Sequence, residues 1–498
     1  MTNMPDHTSL TSHAHQMLIG GRLVAGEGAA LSPINPSTGE VTATFPGASP
    51  GQFAQAIAAA RTAFDKGDWA NLSVADRIAV LRRYLAAIRD RAKELEPLVI
   101  AETGVPIKSM VMDSQLAGPL RQMEAMLTLC GKLPEIEENP LTLEERINPF
   151  GGFVQSLRYY VPVGVVAAIS AYNAPMHINL WKMFPALATG NSIVLRPSPL
   201  TPLSALWLAR LAIDAGIPDG VLNIVAEAGA EGAVLMTTSP AVNMVSFTGS
   251  SAVGAQVAAQ AAPSMKRLQL ELGGKSAQIF LPDHVEAAYR AALGVCLANA
   301  GQGCVLGTRV FVPEADKPRV LAAMQASIAH AKIGDSTDPA TTMGPVISAA
   351  QVERCERYVQ LAVDAGAKII AGGKRADRPG FYFEPTILDL PDNENPAAQN
   401  EIFGPVIGVI GYRDIDHAIE MANDSPLGLS GYVHGKDARQ ALSVARRIRS
   451  GAINVNCFLA SPHASSGGQK LSGIGRERGI EGIRAFQELQ CLNLGTAV

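Results

Sequence analysis

The sequence predicts an α/β protein with two regions that each form a parallel sheet covered by helices. After residue 161, short β-branched runs alternate with apolar helical segments, and this alternation is typical of right-handed βαβ units. A chain of 498 residues exceeds one ordinary hydrophobic core, which favours two or three packed units. The content of 47% hydrophobic and 17% charged residues is typical of a chain with much buried helix and sheet.

The N-terminal part of the chain is predicted to be mainly helical. Short apolar runs separated by turns indicate a small hairpin at 17–43. Apolar residues then recur at helical spacing. The predicted helices cover 52–66, 73–95, 98–102 and 113–130.

The segment 134–160 differs from its surroundings because it is polar, alternating and broken by Pro and Gly. We expect it to leave the main body as a β-ribbon that pairs with another subunit. The two sheets follow this segment. Their predicted strands lie at 164–170, 192–196, 221–225, 243–247, 309–312, 368–371 and 406–412. Their predicted helices lie at 177–189, 202–215, 231–238, 318–331, 349–365, 415–423 and 438–448.

The composition excludes several classes of function. The formal net charge of −4 provides no basic field for a nucleic acid or an anionic membrane. The six cysteines are widely scattered, so they indicate a reducing compartment rather than a disulfide framework or a metal cluster. The N-terminus lacks a signal-peptide pattern, and the longest apolar stretch, near 161–171, is shorter than a membrane span. We therefore expect a cytoplasmic protein without a metal site.

Cys304 ends a run of small residues that begins at Asn299. Cysteine is a good nucleophile because a useful fraction is thiolate near neutral pH. Gly301 and Gly303 leave room beside it for a carbonyl substrate and a cofactor. A free cysteine is more often a small buried hydrophobic residue, so the remaining motifs decide between the two interpretations.

Gly249 and Ser250 follow a predicted strand and open an Ala-rich helix that contains Gly254. A glycine at the end of a strand allows a tight turn, and the free N–H groups at a helix start attract a phosphate. The Gly-x4-Gly spacing differs from the dinucleotide fingerprint Gly-x-Gly-x-x-Gly. The pattern therefore also fits an ordinary helix start that Ser250 caps.

Two polar residues stand at the ends of predicted apolar strands. Glu271 ends a predicted apolar strand, and Leu272 and two glycines follow it. Burying a charged carboxylate in such a strand costs free energy unless the group is catalytic or paired. It could activate a water as a base with a raised pKa, or it could form a structural ion pair. Asn173 could donate to a developing oxyanion, or it could simply stabilise a turn.

Together these motifs resemble the NAD(P)-dependent aldehyde dehydrogenase superfamily, from about residue 18 to the C-terminus. The runs that carry the resemblance are ETG at 102–104, PVGV at 162–165, FTGS at 247–250, ELGGK at 271–275, GQGC at 301–304, EIFGP at 401–405 and GGQKLSG at 467–473. The resemblance implies an aldehyde dehydrogenase-like fold with a Rossmann-type cofactor domain, an α/β catalytic domain and a β-ribbon oligomerisation element. The cofactor domain would comprise 17–133 and 158–269, the catalytic domain 270–480, and the ribbon 134–157 and 481–498.

The resemblance also implies the roles of individual residues. Cys304 would form a thiohemiacetal with the aldehyde, and Asn173 and the backbone N–H of Cys304 would form the oxyanion hole. After hydride transfer to the nicotinamide, Glu271 would activate the water that hydrolyses the thioester. NAD is the implied cofactor, with NADP as a second option. The positions matched to cofactor binding are Ser170, Ala171, Arg196, Ser198, Pro199, Gly249, Ser250, Gly254, Leu272, Gly273, Glu401 and Phe403.

The chain departs from the family pattern at the adenosine ribose. The usual Lys-Pro-Ser-Glu run begins with Arg196 and ends with Pro199. Loss of the glutamate removes a repulsive neighbour of a 2′-phosphate, and Arg196 could attract that phosphate. We therefore expect NAD+ to be used and NADP+ to be tolerated.

The predicted substrate tunnel departs from the pattern as well. Ala174 stands where a bulky residue is common, and Ser465 and Ser466 replace a Pro-Phe pair. An opened apolar tunnel favours bulky hydrophobic aldehydes unless Phe458 or Leu459 refills the space. The residues placed in the tunnel are Met123, Ala174, His177, Ile178, Trp181 and Leu459, with His177 in the wall rather than in catalysis.

The resemblance thus implies oxidation of a bulky hydrophobic aldehyde to its carboxylic acid by a homo-oligomer, either a dimer or a tetramer. Two alternatives stay open. A CoA-acylating enzyme would pass the acyl group to a thiol, but that branch typically lacks the glutamate found here at Glu271. A non-catalytic protein could retain the fold, although the intact Cys304, Glu271 and Asn173 argue against it.

Overall fold

We describe a computed structural model of the chain, and the structure describes residues 15–459 and 461–495. The last three residues of the predicted ribbon therefore lie outside the described residues. The strands are β1 Met17–Ile19, β2 Arg22–Val24, β3 Ala30–Leu31, β4 Phe45–Pro46, β5 Ile136–Glu138, β6 Val154–Pro162, β7 Val165–Ile169, β8 Ser192–Arg196, β9 Leu222–Ile224, β10 Met244–Thr248, β11 Arg267–Glu271, β12 Ala277–Phe280, β13 Arg309–Pro313, β14 Lys368–Ala371, β15 Thr386–Asp389, β16 Val406–Tyr412, β17 Leu427–Gly428, β18 Ser430–His434, β19 Ala452–Val455, β20 Gln469–Lys470, β21 Gly473–Ile474 and β22 Gln487–Gly495.

Many helices begin at a short polar residue that caps the free N–H groups. The hydroxyls of Ser49, Ser73 and Ser348 each accept a hydrogen bond from the backbone N–H three residues later. The helices are α1 Pro50–Lys66, α2 Val74–Asp90, α3 Ala92–Thr103, α4 Met110–Gln115, α5 Ala117–Cys130, α6 Pro175–Ala188, α7 Leu203–Asp214, α8 Glu231–Thr238, α9 Ser251–Ala261, α10 Ala288–Leu297, α11 Lys317–Ile328, α12 Ala349–Asp364, α13 Pro396–Gln399, α14 Ile415–Asn423, α15 Ala438–Ala445 and α16 Gly479–Arg484.

The first sheet has eight strands in the order β2-β1-β9-β8-β7-β10-β11-β21, and the strands from β9 to β11 run parallel. Every residue of β7 and β8 is buried, as expected for a parallel sheet covered on both faces. Along the chain β7 comes first, with β8 and β9 on one side of it and β10 and β11 on the other. The strand order therefore reverses between β7 and β10, which is where ligands bind at the carboxyl edge of such sheets.

The second sheet has seven strands in the order β14-β15-β16-β13-β12-β18-β19. All its neighbouring pairs are parallel except the edge pair of β14 and β15. Its first strand in the chain, β12, follows β11 after only five residues. The carboxyl edge of the first sheet is thus joined directly to the start of the second.

A third, three-stranded antiparallel sheet has the order β22-β6-β5. It combines strands from both segments of the predicted ribbon, and β22 pairs with β6 along their whole length, from Gln487 opposite Pro162 to Gly495 opposite Val154. The predicted α/β architecture with parallel sheets is therefore confirmed. None of the helices among residues 15–459 and 461–495 has the length and apolar character that a membrane crossing requires.

Two predicted helices are wrong because the chain breaks each of them once. The predicted helix 73–95 ends at Asp90, and α3 starts anew after Arg91, whose φ of −107° and ψ of 13° interrupt the helix. The predicted helix 113–130 is broken at Leu116, with φ −125° and ψ −76°. In the first case α2 packs on α5, α6 and α7, whereas α3 packs on α7, so tertiary packing redirects the chain where helical propensity alone gives no stop signal.

Candidate active site

The reversal point of the first sheet carries polar groups on three adjacent strands. Ser170 directly follows β7, Thr248 ends β10, and Glu271 ends β11 in register with Thr248. The hydroxyls of Ser170 and Thr248 are buried and have no hydrogen-bond partner among the described residues. Such unpaired buried groups fit a ligand that brings its own hydrogen-bonding atoms, as a dinucleotide does. Ser170, which the sequence assigned to cofactor binding, therefore lies where a cofactor fits.

Cys304 is attached to this edge by hydrogen bonds between its loop and the start of α6. The side-chain amide of Asn173 donates to the carbonyl oxygen of Gln302 at 3.1 Å. The amide of Asn299 donates to the carbonyl oxygens of Asn173, at 2.8 Å, and of Gln302. Asn299 and Ala300 both have φ of +50°, a conformation that non-glycine residues adopt at a cost and that clusters at functional sites. The predicted oxyanion asparagine and the predicted nucleophile thus share one network.

The two glycines after Glu271 allow the close approach of two other residues. A Cβ on Gly273 would lie 2.4 Å from Oε2 of Glu401, and a Cβ on Gly274 would lie 2.1 Å from the carbonyl oxygen of Cys304. The N–H of Gly274 also donates to Oε1 of Glu401 at 2.9 Å. Any larger residue at either position would displace Glu401 or the nucleophile's backbone.

The environment of Cys304 keeps its thiol protonated before substrate binds. Burial, followed by the carboxylates of Glu401 and Glu271, raises the pKa of the Cys304 thiol to about 12. A thiol with this pKa needs a base to remove its proton as it attacks a carbonyl. A base near the sulfur is therefore needed, and Glu271 is one of the two carboxylates that raise the pKa of this thiol most strongly.

Glu271 is half-buried, and its Oε1 is buried and has no hydrogen-bond partner among the described residues. Burial and the carboxylate of Glu477 raise the pKa of Glu271 above its ordinary value of 4.5, and the ammonium of Lys182 opposes them. Lys182 is fully buried, with its Nζ 3.2 Å from Oε1 of Glu477 and 2.9 Å from Oγ of Ser246. Glu271 therefore lies beside a buried ion pair without forming a hydrogen bond to either partner.

Three charged residues near Glu271 belong to none of the motifs in the sequence, namely Lys182, Glu477 and Arg478. Lys182 carried one signal, because a single lysine within the apolar run of α6 is costly to bury without a partner. Glu477 and Arg478 come from a short charged run directly before α16, almost 300 residues further along the chain. Only the fold brings them to α6.

The structure corrects the interpretation of Arg196. Its Nε donates to Oε1 of Glu227 at 3.1 Å, and its Nη2 donates to the carbonyl oxygen of Gly229 at 2.7 Å. The Glu227 carboxylate also accepts the backbone N–H groups of Gly232 and Ala233 at the start of α8. Arg196 is therefore not a free cation, because a buried carboxylate already pairs with it, and its attraction of a 2′-phosphate stays a prediction.

The other residues assigned to the cofactor lie along the same edge. Ser250 caps α9 by accepting the N–H of Val253 at 3.3 Å, which confirms the capping interpretation and leaves phosphate binding a prediction. Phe403 has φ of +60°, and its ring meets that of Tyr172 edge-on at 5.9 Å. The remaining assigned residues are Ala171 after β7, Ser198 and Pro199 after β8, Gly249 after β10, Leu272 after β11, and Gly254 of α9, which faces the Leu272 side chain.

Four of the six predicted tunnel residues lie at the start of α6 or on it. Ala174 is the residue before this helix, His177 is half-buried, and Ile178 and Trp181 are buried. Phe458 and Leu459 are 64% and 63% exposed. In the single chain, therefore, neither side chain packs into the space that the small Ala174 leaves.

Met123 occupies a different place from the one that the sequence analysis gave it. It is enclosed in the core of the first sheet, with none of its surface exposed. The neighbouring Gln122 also contacts the tunnel helix, because its Oε1 accepts the indole N–H of Trp181 at 3.0 Å. Within the part of the chain that the structure describes, no group of three or more His, Cys, Asp or Glu residues is arranged to hold a metal ion.

Comparison with known proteins agrees with this site. The model of the aldehyde dehydrogenase family matches residues 23–492. The chain is 35% identical to geranial dehydrogenase from Castellaniella defragrans, over 97% of this chain and 99% of that protein. It is 35% identical to a betaine aldehyde dehydrogenase from Cereibacter sphaeroides, over 96% of both chains.

The fold is also similar to that of a solved aldehyde dehydrogenase. A cysteine-to-alanine mutant of aldehyde dehydrogenase C from Pseudomonas syringae, complexed with NAD+ and octanal, superposes with a TM-score of 0.90 at 34% identity over 96% of each chain. The family match and the similar proteins point to the same activity as the arrangement of Cys304, Glu271 and Asn173 does. The chain belongs to the aldehyde dehydrogenase family and is an NAD(P)-dependent aldehyde dehydrogenase.

Proposed function

We propose that this enzyme uses NAD+ to oxidise bulky hydrophobic aldehydes to carboxylic acids through a thioester on Cys304. The observation that carries the substrate class is the small size of Ala174, Ser465 and Ser466 together with the outward position of Phe458 and Leu459. These residues leave the approach to Cys304 open beside the apolar wall of α6. Two relatives are consistent with such substrates, because one is named geranial dehydrogenase and the other was solved with octanal.

The first half of the reaction follows from the contacts of Cys304. Its sulfur attacks the aldehyde carbon, and the proton leaves to a carboxylate, because the thiol is not ionised beforehand. The amide of Asn173 and the N–H of Cys304 stabilise the oxyanion of the thiohemiacetal. Ser170, Thr248, Ser250 and Glu401 would hold the cofactor. Bound NAD+ would supply the hydride acceptor that converts the thiohemiacetal into a thioester of Cys304.

The second half depends on Glu271. Its unpaired carboxylate oxygen is free to take a proton from a water that attacks the thioester. Lys182 and Glu477 adjoin it and provide polar groups beside the base. A base of this kind favours hydrolysis over transfer of the acyl group to a thiol, so we place the CoA-acylating reaction second.

We expect kcat/KM to rise from acetaldehyde through hexanal to benzaldehyde and a branched terpenoid aldehyde. Each buried methylene adds about 0.8 kcal/mol of binding, and a small substrate is not held close to Cys304. Initial rates of NADH formation with this panel test the proposal. Ala174→Phe should narrow the approach and reverse the order, whereas the matched change Ala171→Gly on the cofactor side should leave it unchanged. A preference of the wild type for acetaldehyde would contradict the proposed substrate class.

We also expect a preference for NAD+ that depends on the Arg196–Glu227 pair. Glu227→Gln should release the Arg196 guanidinium and raise the NADP+ to NAD+ ratio of kcat/KM by about 10-fold, since a charge-assisted hydrogen bond is worth 1.5–3 kcal/mol. Pro199→Glu should lower the same ratio by repelling the 2′-phosphate. Glu231→Gln, an exposed change at the start of α8, serves as the control. If the wild type and the three variants all have the same NADP+ to NAD+ ratio of kcat/KM, then neither Pro199 nor the Arg196–Glu227 pair lies near the adenosine ribose.

We propose that the enzyme works in the cytoplasm as a homo-oligomer, a dimer or a tetramer, joined through the β22-β6-β5 sheet. Large apolar side chains are exposed on this sheet and its connecting loop, and such patches favour association. They include Leu143, Ile147, Phe150, Leu489 and Leu494. Sedimentation equilibrium of the full chain tests this assembly, and a monomer at micromolar concentration would contradict it.

A further inference from the structure

Arg478 presents unused hydrogen-bond donors at the predicted substrate tunnel. Its guanidinium lies over the ring of Trp181, with its central carbon 5.5 Å from the ring centroid. Its Nη2 lies 2.7 Å from Nε2 of His177. Its Nε is buried and has no partner among the described residues. A guanidinium has five N–H donors, so most of this one's donors remain available although protein surrounds it.

His177 adds a second available donor. Because arginine stays protonated, the 2.7 Å contact requires Nε2 of His177 to accept, which places the imidazole proton on Nδ1. Burial and the Arg478 cation lower the pKa of His177 to about 3, so the ring is neutral at physiological pH. Once Nε2 of His177 has accepted from Arg478, the remaining polar groups of the two side chains are all donors.

The backbone holds Arg478 in this place at an energetic cost. Its φ is +60° and ψ 172°, outside the conformations that non-glycine residues prefer. Its carbonyl oxygen accepts the N–H of Gly482, so the residue is anchored at the start of α16. Strain at a polar residue beside a reaction centre is typical of functional positions rather than of packing alone.

Arg478 lies near carboxylates without forming a salt bridge to them. The carboxylates of Glu477 and Glu271 both act on its guanidinium. Glu477 pairs with Lys182 at 3.2 Å, and among the described residues no carboxylate forms a salt bridge with Arg478. A half-buried guanidinium with unpaired donors favours an anionic ligand.

We propose that Arg478 is a specificity-determining residue that binds a carboxylate at the far end of the aldehyde substrate, supported by Trp181 and His177. A planar guanidinium matches a carboxylate through two parallel N–H donors. This inference rests on the proposed oxidation at Cys304, and it adds an anionic terminus to the bulky apolar body of the substrate.

His177 and Trp181 lie one turn apart on α6, which begins at Pro175, so they are separated by about 6 Å along its axis. A rigid para-substituted benzaldehyde holds its terminal group at a fixed distance from the aldehyde carbon. Such a substrate therefore tests recognition of the terminal group separately from reaction of the aldehyde group.

The test compares para-carboxybenzaldehyde with para-isopropylbenzaldehyde, which has a similar shape and no charge. We expect wild-type kcat/KM to favour the carboxylate by about 10- to 100-fold, because a site built around a donor rejects the analogue that lacks the acceptor. Arg478→Leu should abolish this preference, mainly through KM, while retaining turnover of the isopropyl compound. Arg478→Lys should keep part of the preference because it keeps the charge.

The outcomes separate recognition from a purely structural role. If Arg478→Leu slows both aldehydes equally, the residue acts on Glu271 or Cys304 and the proposal is overturned. A wild type that oxidises the isopropyl compound but not the carboxylate also overturns it while leaving the proposed function intact. A wild type that forms no NADH with any aldehyde contradicts the proposed function instead. If the leucine variant does not fold, the ratios measured for Arg478→Lys and Arg478→Gln decide.

Discussion

Replacing Cys304 with alanine is expected to lower the oxidation of every aldehyde by more than about 10⁴-fold, because all later steps need the covalent intermediate. The variant should still bind NAD+, since the groups at the strand-order reversal, such as Ser170 and Thr248, belong to other elements. NADH formation measures the first quantity, and titration of protein fluorescence with NAD+ measures the second.

A matched variant separates loss of the nucleophile from loss of a thiol in general. Cys457 is exposed in the loop after β19, and Cys457→Ala should retain full activity. Substantial turnover by Cys304→Ala would remove Cys304 from its role. Equal losses in the two variants would point to a shared effect on the protein rather than to the chemistry of one sulfur.

Local signals in the sequence were sufficient for most of the regular structure. β8, β14 and β16 have the predicted bounds because each is an apolar run between turn residues. The breaks at Arg91 and Leu116 carry no such signal, since neither residue is a Gly or a Pro. They arise from packing between helices that are distant in the sequence, which a local pattern does not contain.

The candidate site likewise contains residues that the sequence predicted and contacts that only the fold reveals. Cys304, Glu271 and Asn173 were predicted because each stands in a recognisable run, and the structure places them on connected loops. Glu227 could not be paired with Arg196 from the sequence, because 31 residues separate them and only the adjacency of β8 and β9 brings them together. That contact is expected to weaken the attraction of Arg196 for a 2′-phosphate. Arg478 was missed for the same reason, since its partner His177 lies 301 residues away.

Replacing Glu271 with glutamine should preserve thioester formation and slow release of the acid by about 10²–10⁴-fold, the usual effect of losing a general base. Rapid mixing should show a burst of NADH close to the enzyme concentration, followed by a slow steady state. The exposed Glu481 provides a control, and Glu481→Gln should give neither a burst nor a slow phase of this kind. An unchanged steady-state rate in Glu271→Gln would mean that another group activates the water.

The pH dependence of acid release provides a second, independent test of Glu271. Burial and Glu477 raise the pKa of this carboxyl above its ordinary value of 4.5, so below that raised pKa it is mostly protonated and cannot act as a base. The steady-state rate of the wild type should therefore rise with pH well above pH 4.5 and level off once Glu271 has lost its proton. Removing the opposing cation by Lys182→Met should raise the pKa further and shift this rise to higher pH. In Glu271→Gln the remaining slow release should lack this rise, and a profile parallel to that of the wild type would assign the titration to a different group.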